Sequence, residues 1–493
     1  MAVGLETSVR PRRRSEAAPA GGRRSRLDRL SEPVDNASLV AFRVAFGALL
    51  FWEVLRYFSH GWIGRYWVEP TFYFTFQGFD WVQPWAGAGM YLHFMALGSL
   101  ALCVASGFLY RATAALFTLG FAYVFLLDKA NYLNHFYLIV ILSLLLVLVP
   151  AHRRFSLDVF LRPGLRSTTA PTWALWLLRA QLGLVYVFGG IAKLNGDWLA
   201  GRPMDEWLAE KAGAPIVGPL FDEPWSGVVF SYGGVLLDLL VVPALLWRRT
   251  RPYAFVAAVG FHLANSQLFQ IGVFPWFMIA ATTLFLDPDW PVRAVAAVRR
   301  RIPRRLGGRP ESEARGPAPV ASPEAPARAG TATPVARRLF LRRVGIAALA
   351  TFLAIQVLVP LRHLLYPGSV HWTEEGHRFS WHMKLRDKSV ESLYVVARSA
   401  DGGRTLVVEP RSYVTENQLD EMGTRPDMLQ QFARHVAEDL ERRGLGRMAI
   451  HVRADVSLNG RPPHTLVDPR VDLAAVPRDL RHASWILPLP AAP

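Results

Sequence analysis

The stretch TWALWLLRAQLGLVYVFGGIAKLNGDW (172–198) stays apolar over residues 173–192 and then places a lysine, Lys193, before a run of polar and aromatic residues. An α-helix needs about 20 mainly apolar residues to cross the hydrocarbon core of a membrane. Residues 173–192 are therefore predicted to span a membrane, with Lys193 at the end of the span. A lysine there either reaches the lipid headgroups or takes part in chemistry, and this stretch alone favours neither role.

The same pattern recurs along the 493-residue chain, in which 52 % of the residues are hydrophobic and 16 are tryptophan. Apolar residues that come in blocks of this length indicate an integral membrane protein. The run 252–287 is interrupted by NSQLFQIG (265–272) and is counted as two spans. The predicted spans are 37–58, 88–109, 112–127, 136–150, 173–192, 228–247, 252–268, 271–287 and 344–360.

The arginines predict the orientation of these spans, because cytoplasmic loops carry an excess of basic residues. The basic segments are the N-terminal tail, Arg111, AHRR (151–154), WRRTR (247–251) and 293–343. They alternate with segments that lie on the other face: 59–87, 128–135, 193–227, 266–270 and everything after 361. The net charge of +16 is thereby explained by membrane orientation, and no nucleic-acid partner is predicted.

We predict a mainly α membrane protein: a polytopic helical bundle of about nine transmembrane helices with a C-terminal extracytoplasmic β-rich (α+β) domain. In that domain, residues 391–410 read as two strands around an Asp-Gly-Gly turn, 425–444 as an amphipathic helix and 447–460 as a further strand. The predicted parts are a basic disordered cytoplasmic tail (1–34), the transmembrane domain (35–290), a basic Pro/Ala-rich cytoplasmic linker (291–340), the last transmembrane helix (341–362) and the extracytoplasmic domain (363–493).

Four groups able to accept or donate protons fall on the extracytoplasmic face of this topology: Lys193, His135, His262 and His363. Ionisable groups at membrane depth are costly, so each is a candidate functional residue. The alternatives are a lysine that reaches the headgroups and histidines that only make structural hydrogen bonds. No two of these histidines have the spacing typical of a metal site, so no metal is predicted.

Other charged residues lie inside the predicted spans. Asp238 lies deep enough to require a partner, and structural pairing is its predicted role. Arg43 and Arg179 lie near cytoplasmic ends of spans and are predicted to extend to the headgroups.

Several separate motifs, in one order on this topology, closely resemble the vitamin K-dependent γ-glutamyl carboxylase family. The resemblance covers residues 35–490 apart from the linker. The motifs are LDKANYLNHFYL (127–138), VYVFGGIAKLNGDWLAGRPM (185–204), FHLANSQLFQIGVFPWFMIA (261–280), FSWHMKLR (379–386), RPDMLQQFA (425–433), VSLNGRPPHTLVDPRVDL (456–473) and ASWILPL (483–489).

The resemblance implies an enzyme that oxygenates reduced vitamin K, the hydroquinone, to the 2,3-epoxide. The energy of that step drives carboxylation of the γ-carbon of protein glutamates, with O2 and CO2 as co-substrates. Because no side chain is basic enough to take a proton from that carbon, a stronger base must be generated on the quinone and kept from water. A dry cavity at the membrane edge suits this chemistry.

The resemblance also implies roles for individual residues. Lys193 occupies the position of the family's catalytic lysine, where desolvation favours the neutral amine that starts the oxygenation. His135 matches a histidine that assists formation of the glutamate carbanion, and Asn134 lies beside it near the quinone.

Further positions match the surroundings of the family's site. His262 and His363 match histidines that support the site by hydrogen bonding or proton handling. Phe274, Trp381 and Met383 match positions that line the naphthoquinone pocket, as apolar and aromatic walls should.

The implied partners are a glutamate-containing protein or peptide, vitamin K quinone and membrane lipid. The single cysteine, Cys103, and the Ala, Arg and Pro bias indicate a bacterial member in a plasma membrane, with its site facing outward. Two alternatives remain: a vitamin K or menaquinol epoxidase without protein carboxylation, and a non-catalytic quinone-binding membrane scaffold.

Overall fold

The computed structural model describes residues 29–301 and 335–490, except 216 and 270. The membrane part contains α1 (Ala37–Ser59), α2 (Trp62–Trp67), α3 (Gly89–Ser106), α4 (Tyr110–Leu127), α5 (Asn134–Leu148), α6 (Leu157–Leu161), α7 (Thr172–Ala192), α8 (Gly196–Leu199), α9 (Met204–Ala209), α10 (Gly218–Phe221), α11 (Ser226–Leu246), α12 (Arg251–Leu268), α13 (Phe274–Thr282), α14 (Trp290–Arg301) and α15 (Val335–Leu361). The strands β1 (Pro33–Asp35) and β2 (Thr169–Pro171) pair antiparallel.

A helix forms at each predicted span. In the part of the chain that the structure describes, six helices are long and apolar enough to cross a membrane: α1, α3, α4, α7, α11 and the segment Arg343–Leu365. Helices α5 and α13 are apolar but shorter, and α12 lacks a sufficiently apolar window. The mainly helical membrane fold is therefore confirmed, whereas the number of crossings stays a prediction.

Two glycines allow the membrane helices to approach closely. A Cβ atom on Gly47 of α1 would overlap the carbonyl oxygen of Ala101 in α3 and would lie 2.6 Å from the backbone nitrogen of Ala105. A Cβ on Gly190 of α7 would lie 2.7 Å from Leu239 Cδ2 in α11. Small residues at helix crossings are what membrane bundles use to bring backbones together. Gly190 thus places the middle of α11 against the end of α7, where Lys193 lies.

The two arginines predicted to reach the headgroups do not do so. Arg43 is fully buried and donates hydrogen bonds to the carbonyl oxygens of Ala151 (3.0 Å) and Phe155 (2.5 Å). Arg179 donates to the carbonyl oxygens of Leu284 (2.7 Å) and Leu286 (3.0 Å). Loop and helix-end carbonyls without a backbone partner need donors, and guanidinium groups supply several at once.

The outer domain combines a four-stranded antiparallel sheet with helices. Its elements are α16 (Val370–Thr373), β3 (Lys388–Ser399), β4 (Thr405–Val408), α17 (Glu416–Gly423), α18 (Pro426–Arg442), β5 (Met448–Leu458) and β6 (His464–Thr465), with the strand order β4-β3-β5-β6. Every second residue of β5 is buried, beginning with Met448, which is the pattern of a strand with one covered face. The predicted hairpin, helix and third strand all form.

Side chains of the outer domain bind loops of the membrane part. Arg461 forms an ion pair with Asp197, and Asn459 Nδ2 donates to the same carboxylate over 2.8 Å. Gln418 Nε2 donates to Asp128 Oδ2 over 2.8 Å. These contacts hold the outer domain over the ends of α4 and α7.

The predicted tail (1–34) and linker (291–340) lie mostly outside the described residues, which leave out 1–28 and 302–334. Where the structure does describe these segments, residues 33–34 belong to β1, 291–301 belong to α14, and 335–340 begin α15.

Candidate active site

One cavity of about 1500 Å³ opens between the membrane helices and the outer domain. Its walls come from the outer ends of α1, α5, α7, α11, α12 and α13, and from outer-domain residues in the ranges 377–378, 382–388 and 417–425. A pocket for one small molecule occupies roughly 300–1,000 Å³. This cavity has room for a small molecule and for part of a second ligand.

Most of the residues predicted for the site line this cavity. They are Lys193, His135, His262, Asn134, Phe274 and Met383. His363 and Trp381 do not line it. Three of the four proton-carrying groups that hydropathy and arginine counts placed on one face thus share one space.

Lys193 caps the C-terminus of α7 and is 6 % exposed. Its Nζ atom donates to Asp238 Oδ2 at 2.5 Å and lies 5.6 Å from the centroid of the Trp198 ring. Asn195 begins the next helix by accepting a hydrogen bond from the backbone N–H of Trp198, which turns the chain sharply after the lysine. Lys193 therefore points into the protein and does not extend to the headgroups.

Asp238 is the counter-charge of this lysine and is itself 4 % exposed. It lies in the middle of α11, 45 residues from Lys193 along the chain. An ion pair taken out of water costs free energy that its mutual attraction only partly offsets. Asp238 therefore has the partner that its burial requires, and that partner, Lys193, is the principal candidate for the proton chemistry of the site.

Asn134 begins α5 and joins the membrane part to the outer domain. Its Nδ2 donates to the carbonyl oxygen of His382 (3.1 Å), and its Oδ1 accepts from the Tyr132 hydroxyl (3.0 Å). The Tyr132 oxygen accepts in turn from the backbone N–H of Phe379 (2.7 Å). This network sets the orientation of the Asn134 amide beside His135 in the cavity wall.

His262 forms a hydrogen-bond chain with α7 and α13. Its Nε2 lies 2.8 Å from the Tyr186 hydroxyl, which lies 3.2 Å from Thr282 Oγ1. Because the Thr282 hydroxyl donates to the carbonyl oxygen of Met278, the arrangement that makes hydrogen bonds of both contacts has Tyr186 donating to Thr282 and accepting from His262 Nε2–H. His262 Nδ1 is then an acceptor, and it has no hydrogen-bond partner among the described residues.

The membrane end of the cavity is aromatic and apolar. The Phe274 ring has its centroid 5.4 Å from the His135 ring and 6.2 Å from the His262 ring. A Cβ on Gly189 would lie 3.5 Å from Met383 Cε and 3.3 Å from Asp238 Oδ2. Met383 therefore places an apolar side chain of the outer domain next to the Lys193–Asp238 ion pair.

Trp381 and His363 form a layer behind the cavity wall. Trp381 is fully buried, and its ring stacks on Tyr137 with centroids 5.0 Å apart. His363 Nδ1 donates to the carbonyl oxygen of Pro360 (2.7 Å), and the His363 ring packs on His382, 4.9 Å away. Both residues support neighbours that line the cavity, Met383 and His382.

The segment that carries these residues has an unusual backbone. Glu374, Phe379, Trp381 and Lys384 have φ values of 65°, 64°, 60° and 47°. Non-glycine residues rarely adopt this left-handed conformation, and the cost is typically about 1–3 kcal/mol each. Such outliers concentrate at functional sites, which agrees with the position of this segment in the cavity wall.

Four histidines pack together in the outer domain. The ring of His382 lies 4.9 Å from that of His363, 5.2 Å from that of His371 and 5.4 Å from that of His377. Burial lowers the pKa of His371 to about 4 and that of His382 to about 2. Within the described ranges, no group of three or more histidine, cysteine or carboxylate side chains is arranged to hold a metal ion.

We expect the buried His371 to make the protein less stable in acid. Its pKa is about 4 in the folded chain and about 6.5 in the unfolded chain. Between these values the unfolded chain binds the extra proton, so stability falls as the pH is lowered. From pH 7 to pH 5 the loss is about 2 kcal/mol. Thermal unfolding in detergent should show a smaller acid shift in His371→Asn, and an unchanged shift would contradict this assignment.

Several residues of the site carry no recognisable signal in the sequence. Tyr186 is an ordinary aromatic residue of an apolar span, and its contact with His262 depends on how α7 and α12 meet. The histidines at 371, 377 and 382 lie outside any metal-type spacing. Asp238 was recognisable as a buried charge, although Lys193 was not predicted to be its partner.

Two family matches cover most of the chain. Residues 31–290 match the family described as HTTM domain, and residues 341–492 match the family described as Vitamin K-dependent gamma-carboxylase, lumenal domain. The first match alone spans more than half of the chain. The two matches end and begin on either side of residues 291–340. No solved protein structure matches the chain.

Proposed function

The chain belongs to the vitamin K-dependent γ-carboxylase family, and from this premise we propose that it carboxylates the γ-carbon of glutamate residues. Reduced vitamin K, O2 and CO2 are the co-substrates, and vitamin K 2,3-epoxide is the coupled product. The observation that carries the proposal is a buried amine, Lys193, held against a buried carboxylate in the wall of a cavity whose membrane end is aromatic and apolar.

The cavity suits a naphthoquinone. The flat ring of Phe274 and the flexible side chain of Met383 both offer apolar contacts. Such walls are typical of pockets for aromatic cofactors. His262 Nδ1 has no hydrogen-bond partner among the residues that the structure describes, and as an acceptor it suits a quinol hydroxyl, which is a donor. Asn134 and His135 supply further polar contacts at the start of α5. Reduced vitamin K, when bound and oxygenated, supplies the strong base that removes the γ-proton before CO2 adds to the carbon.

The Lys193–Asp238 pair can start this chemistry without help from water. The proton between Nζ and Oδ2, 2.5 Å apart, can reside on either group. With the proton on Asp238, Lys193 is a neutral amine and can accept the quinol proton. The pair is overall neutral in both of these forms, so the proton can move within it without leaving a single unpaired charge in the membrane interior. The positive charge that Lys193 would gain on accepting the quinol proton is balanced by the negative charge left on the quinol.

We infer that the outer domain limits the access of water to the reacting groups. Residues 377–378 and 382–388 line the cavity on its outer-domain side, and the hydrogen bond from Asn134 to the His382 carbonyl ties this segment to α5. A carbanion and a strong base are both quenched by water, so a covered site is required. Burial keeps the pKa of His382 at about 2, so this imidazole stays neutral and adds no acidic imidazolium near the cavity.

We propose that the substrate is a glutamate-containing protein or peptide on the extracytoplasmic side of a bacterial plasma membrane. The orientation of the arginine-rich loops and the lumenal type of the matched outer domain support that side. The apolar outer surfaces of the spanning helices require membrane lipid around them.

The test uses the purified full chain in detergent with reduced vitamin K, O2, a glutamate-containing peptide and labelled CO2. We expect vitamin K epoxide together with label fixed in the peptide. The matched controls are oxidised vitamin K and a peptide with glutamine in place of glutamate, neither of which should incorporate label. Epoxide without label would identify a quinone epoxidase, and absence of both products would overturn the proposal.

A further inference from the structure

The loop between α5 and β2 lies at the end of the membrane bundle opposite the cavity. Helix α5 begins at Asn134 in the cavity wall and ends 15 residues later at Leu148, about 22 Å away at 1.5 Å per residue. Beyond it, the backbone N–H of Ser167 donates to the carbonyl oxygen of Arg153 over 2.9 Å. This bond closes residues 153–167 into a loop, which we call the arginine loop.

The arginine loop exposes large apolar side chains. Phe155 and Phe160 are 79 % and 80 % exposed, and Leu157 and Leu161 are exposed as well. Leu109, in the turn between α3 and α4, adds a further exposed side chain. A group of exposed apolar residues marks a surface that contacts another molecule or a membrane.

Buried contacts hold two of these residues in an unfavourable backbone conformation. Phe155 and Leu109 have φ values of 47° and 43°, in the left-handed region that non-glycine residues rarely adopt. Such a conformation persists only where the surroundings fix it. The buried guanidinium of Arg43 donates to the Phe155 carbonyl oxygen, and Asp158 of the loop accepts from the Leu109 backbone N–H over 2.8 Å. The exposure of both side chains is therefore set by the fold.

The arginine loop packs closely on the turn between α3 and α4. A Cβ atom on Gly107 of that turn would lie 2.5 Å from Ser156 Cβ and 2.6 Å from Arg43 Nη1. The Asp158 backbone N–H donates to the Gly107 carbonyl oxygen over 3.0 Å, and its carboxylate also accepts from the Tyr110 backbone N–H. The exposed apolar residues of the loop and the turn thus belong to one rigid surface.

The same surface carries an excess of positive charge. Its cations are Arg43, Arg111, Arg153, Arg154, Arg162 and Arg166, and its carboxylates are Asp158, Asp35, which pairs with Arg154, and Glu32, whose carbonyl oxygen accepts from Thr172. Six cations therefore face three carboxylates. Arg153, Arg162 and Arg166 are exposed and form no ion pair within the described part of the chain.

We propose that the arginine loop is a binding site for an anionic phospholipid in the leaflet opposite the outer domain. Phe155 and Phe160 enter the acyl-chain region, and Arg153, Arg162 and Arg166 bind the headgroup phosphate. Guanidinium groups match phosphate oxygens because their donors form a planar fork. Basic residues beside a membrane also attract anionic lipid. This proposal does not depend on the proposed carboxylation.

The combination of apolar and basic residues favours a lipid over a soluble anion. A soluble anion would pair with the arginines but would leave both phenylalanines in water. A phospholipid supplies an acyl chain and a phosphate together, and segments that bury an apolar face while basic groups meet the headgroups bind at membrane surfaces. The loop packs against the junction of α3 and α4, two helices long enough to cross a membrane, so it lies at headgroup level.

The first test measures the depth of the loop. A nitroxide is attached to Phe160→Cys in a Cys103→Ala background, which removes the single native cysteine, and the full chain is placed in phospholipid nanodiscs. We expect the label to be relaxed more strongly by O2, which concentrates among acyl chains, than by a water-soluble nickel complex. The matched control is Val407→Cys, because Val407 is 82 % exposed on β4 of the outer domain; there nickel should dominate. Equal access of nickel to both labels would overturn the proposal.

The second test measures the choice of headgroup. A fluorophore on the same Phe160→Cys variant is quenched by trace phosphatidylglycerol or phosphatidylcholine, each carrying the same acyl-chain nitroxide, in otherwise zwitterionic nanodiscs. Each basic residue at the surface contributes roughly fivefold to the association of an anionic lipid. With two guanidinium groups at one headgroup, phosphatidylglycerol should quench at an about 25-fold lower mole fraction. Arg153→Gln/Arg162→Gln/Arg166→Gln should reduce this preference to about twofold or less.

The matched control removes three exposed arginines from the outer domain, Arg398→Gln/Arg404→Gln/Arg447→Gln. Its net charge equals that of the loop variant, and it should keep the full preference. Equal quenching by the two lipids with the loop arginines present, or an undiminished preference without them, would contradict the proposal. Inorganic phosphate and chloride are compared at equal ionic strength. A loss of preference in phosphate alone would indicate a site for free phosphate and would also overturn it.

Discussion

Lys193→Ala is expected to lower epoxide formation by about 10²–10⁴-fold, the range for loss of a positioned base. Carboxylation should fall with it, because the strong base for the γ-proton is no longer produced. The substitution also leaves Asp238 as a buried carboxylate without its partner. A buried charge stripped of its counter-ion costs about 3–5 kcal/mol, so the melting temperature should fall as well.

A double substitution separates chemistry from folding. Lys193→Met/Asp238→Leu replaces the buried pair with apolar groups of similar size, and such exchanges are often neutral or stabilising. We expect the melting temperature to return close to that of the native protein while epoxide formation stays lost. Epoxide formation at the native rate in either variant, with reduced vitamin K and O2 supplied, would show that Lys193 is not the base.

The second large effect is expected at a helix crossing far from the chemistry. Gly47→Val would place a branched side chain against the backbone of α3, where Ala101 and Ala105 leave no space even for a Cβ atom. Because the obstructing atoms are backbone, α1 and α3 must separate. Overpacking of this kind costs about 1–3 kcal/mol and at times more. Thermal unfolding in detergent measures the loss.

The matched control for this substitution is Gly183→Ala in α7. A Cβ there would meet Val242 Cγ1 at 3.5 Å, an ordinary contact distance. Alanine is the better helix former by about 1 kcal/mol, so Gly183→Ala should be neutral or slightly stabilising. Similar melting temperatures for Gly47→Val and Gly183→Ala would contradict the close approach of α1 and α3.

The outer domain shows which features local patterns can predict. The amphipathic helix expected at 425–444 forms as Pro426–Arg442, and its predicted apolar face is buried. That outcome follows from periodicity: a helix with one apolar face has one way to bury it. The strands around Asp401 follow in the same way from alternation and turn residues.

Fewer features of the site than of the outer domain could be predicted from the sequence. Hydropathy and the arginine count were sufficient to bring His135, Lys193 and His262 to one end of the bundle, because both depend only on the membrane as solvent. They could not separate Met383, which lines the cavity, from Trp381, which lies behind it. The left-handed backbone at Trp381 and Lys384 breaks the regular alternation on which such a distinction would rest.

Arg43 shows how a correct placement can lead to a wrong interpretation. Arg43 lies near a helix end as predicted, but the carbonyl oxygens of Ala151 and Phe155 bind its guanidinium inside the protein. Those acceptors lie more than 100 residues away along the chain, in a loop whose conformation no local pattern specifies. A buried carbonyl oxygen without a donor costs free energy. Arg43 therefore binds these carbonyl oxygens in preference to the lipid headgroups.

The sequence by itself was sufficient to predict the membrane helices, their orientation, the outer domain and a common face for the proton-carrying groups. These features depend on local composition and on the spacing of apolar residues, both of which can be read from short stretches of the chain. Only the tertiary structure decided that Lys193 pairs with Asp238, that His262 donates to Tyr186 and that basic residues of the outer domain close the same cavity. Such pairings depend on where glycines let helices approach and on how the outer domain rests on the loops, and both are set by packing across the whole chain.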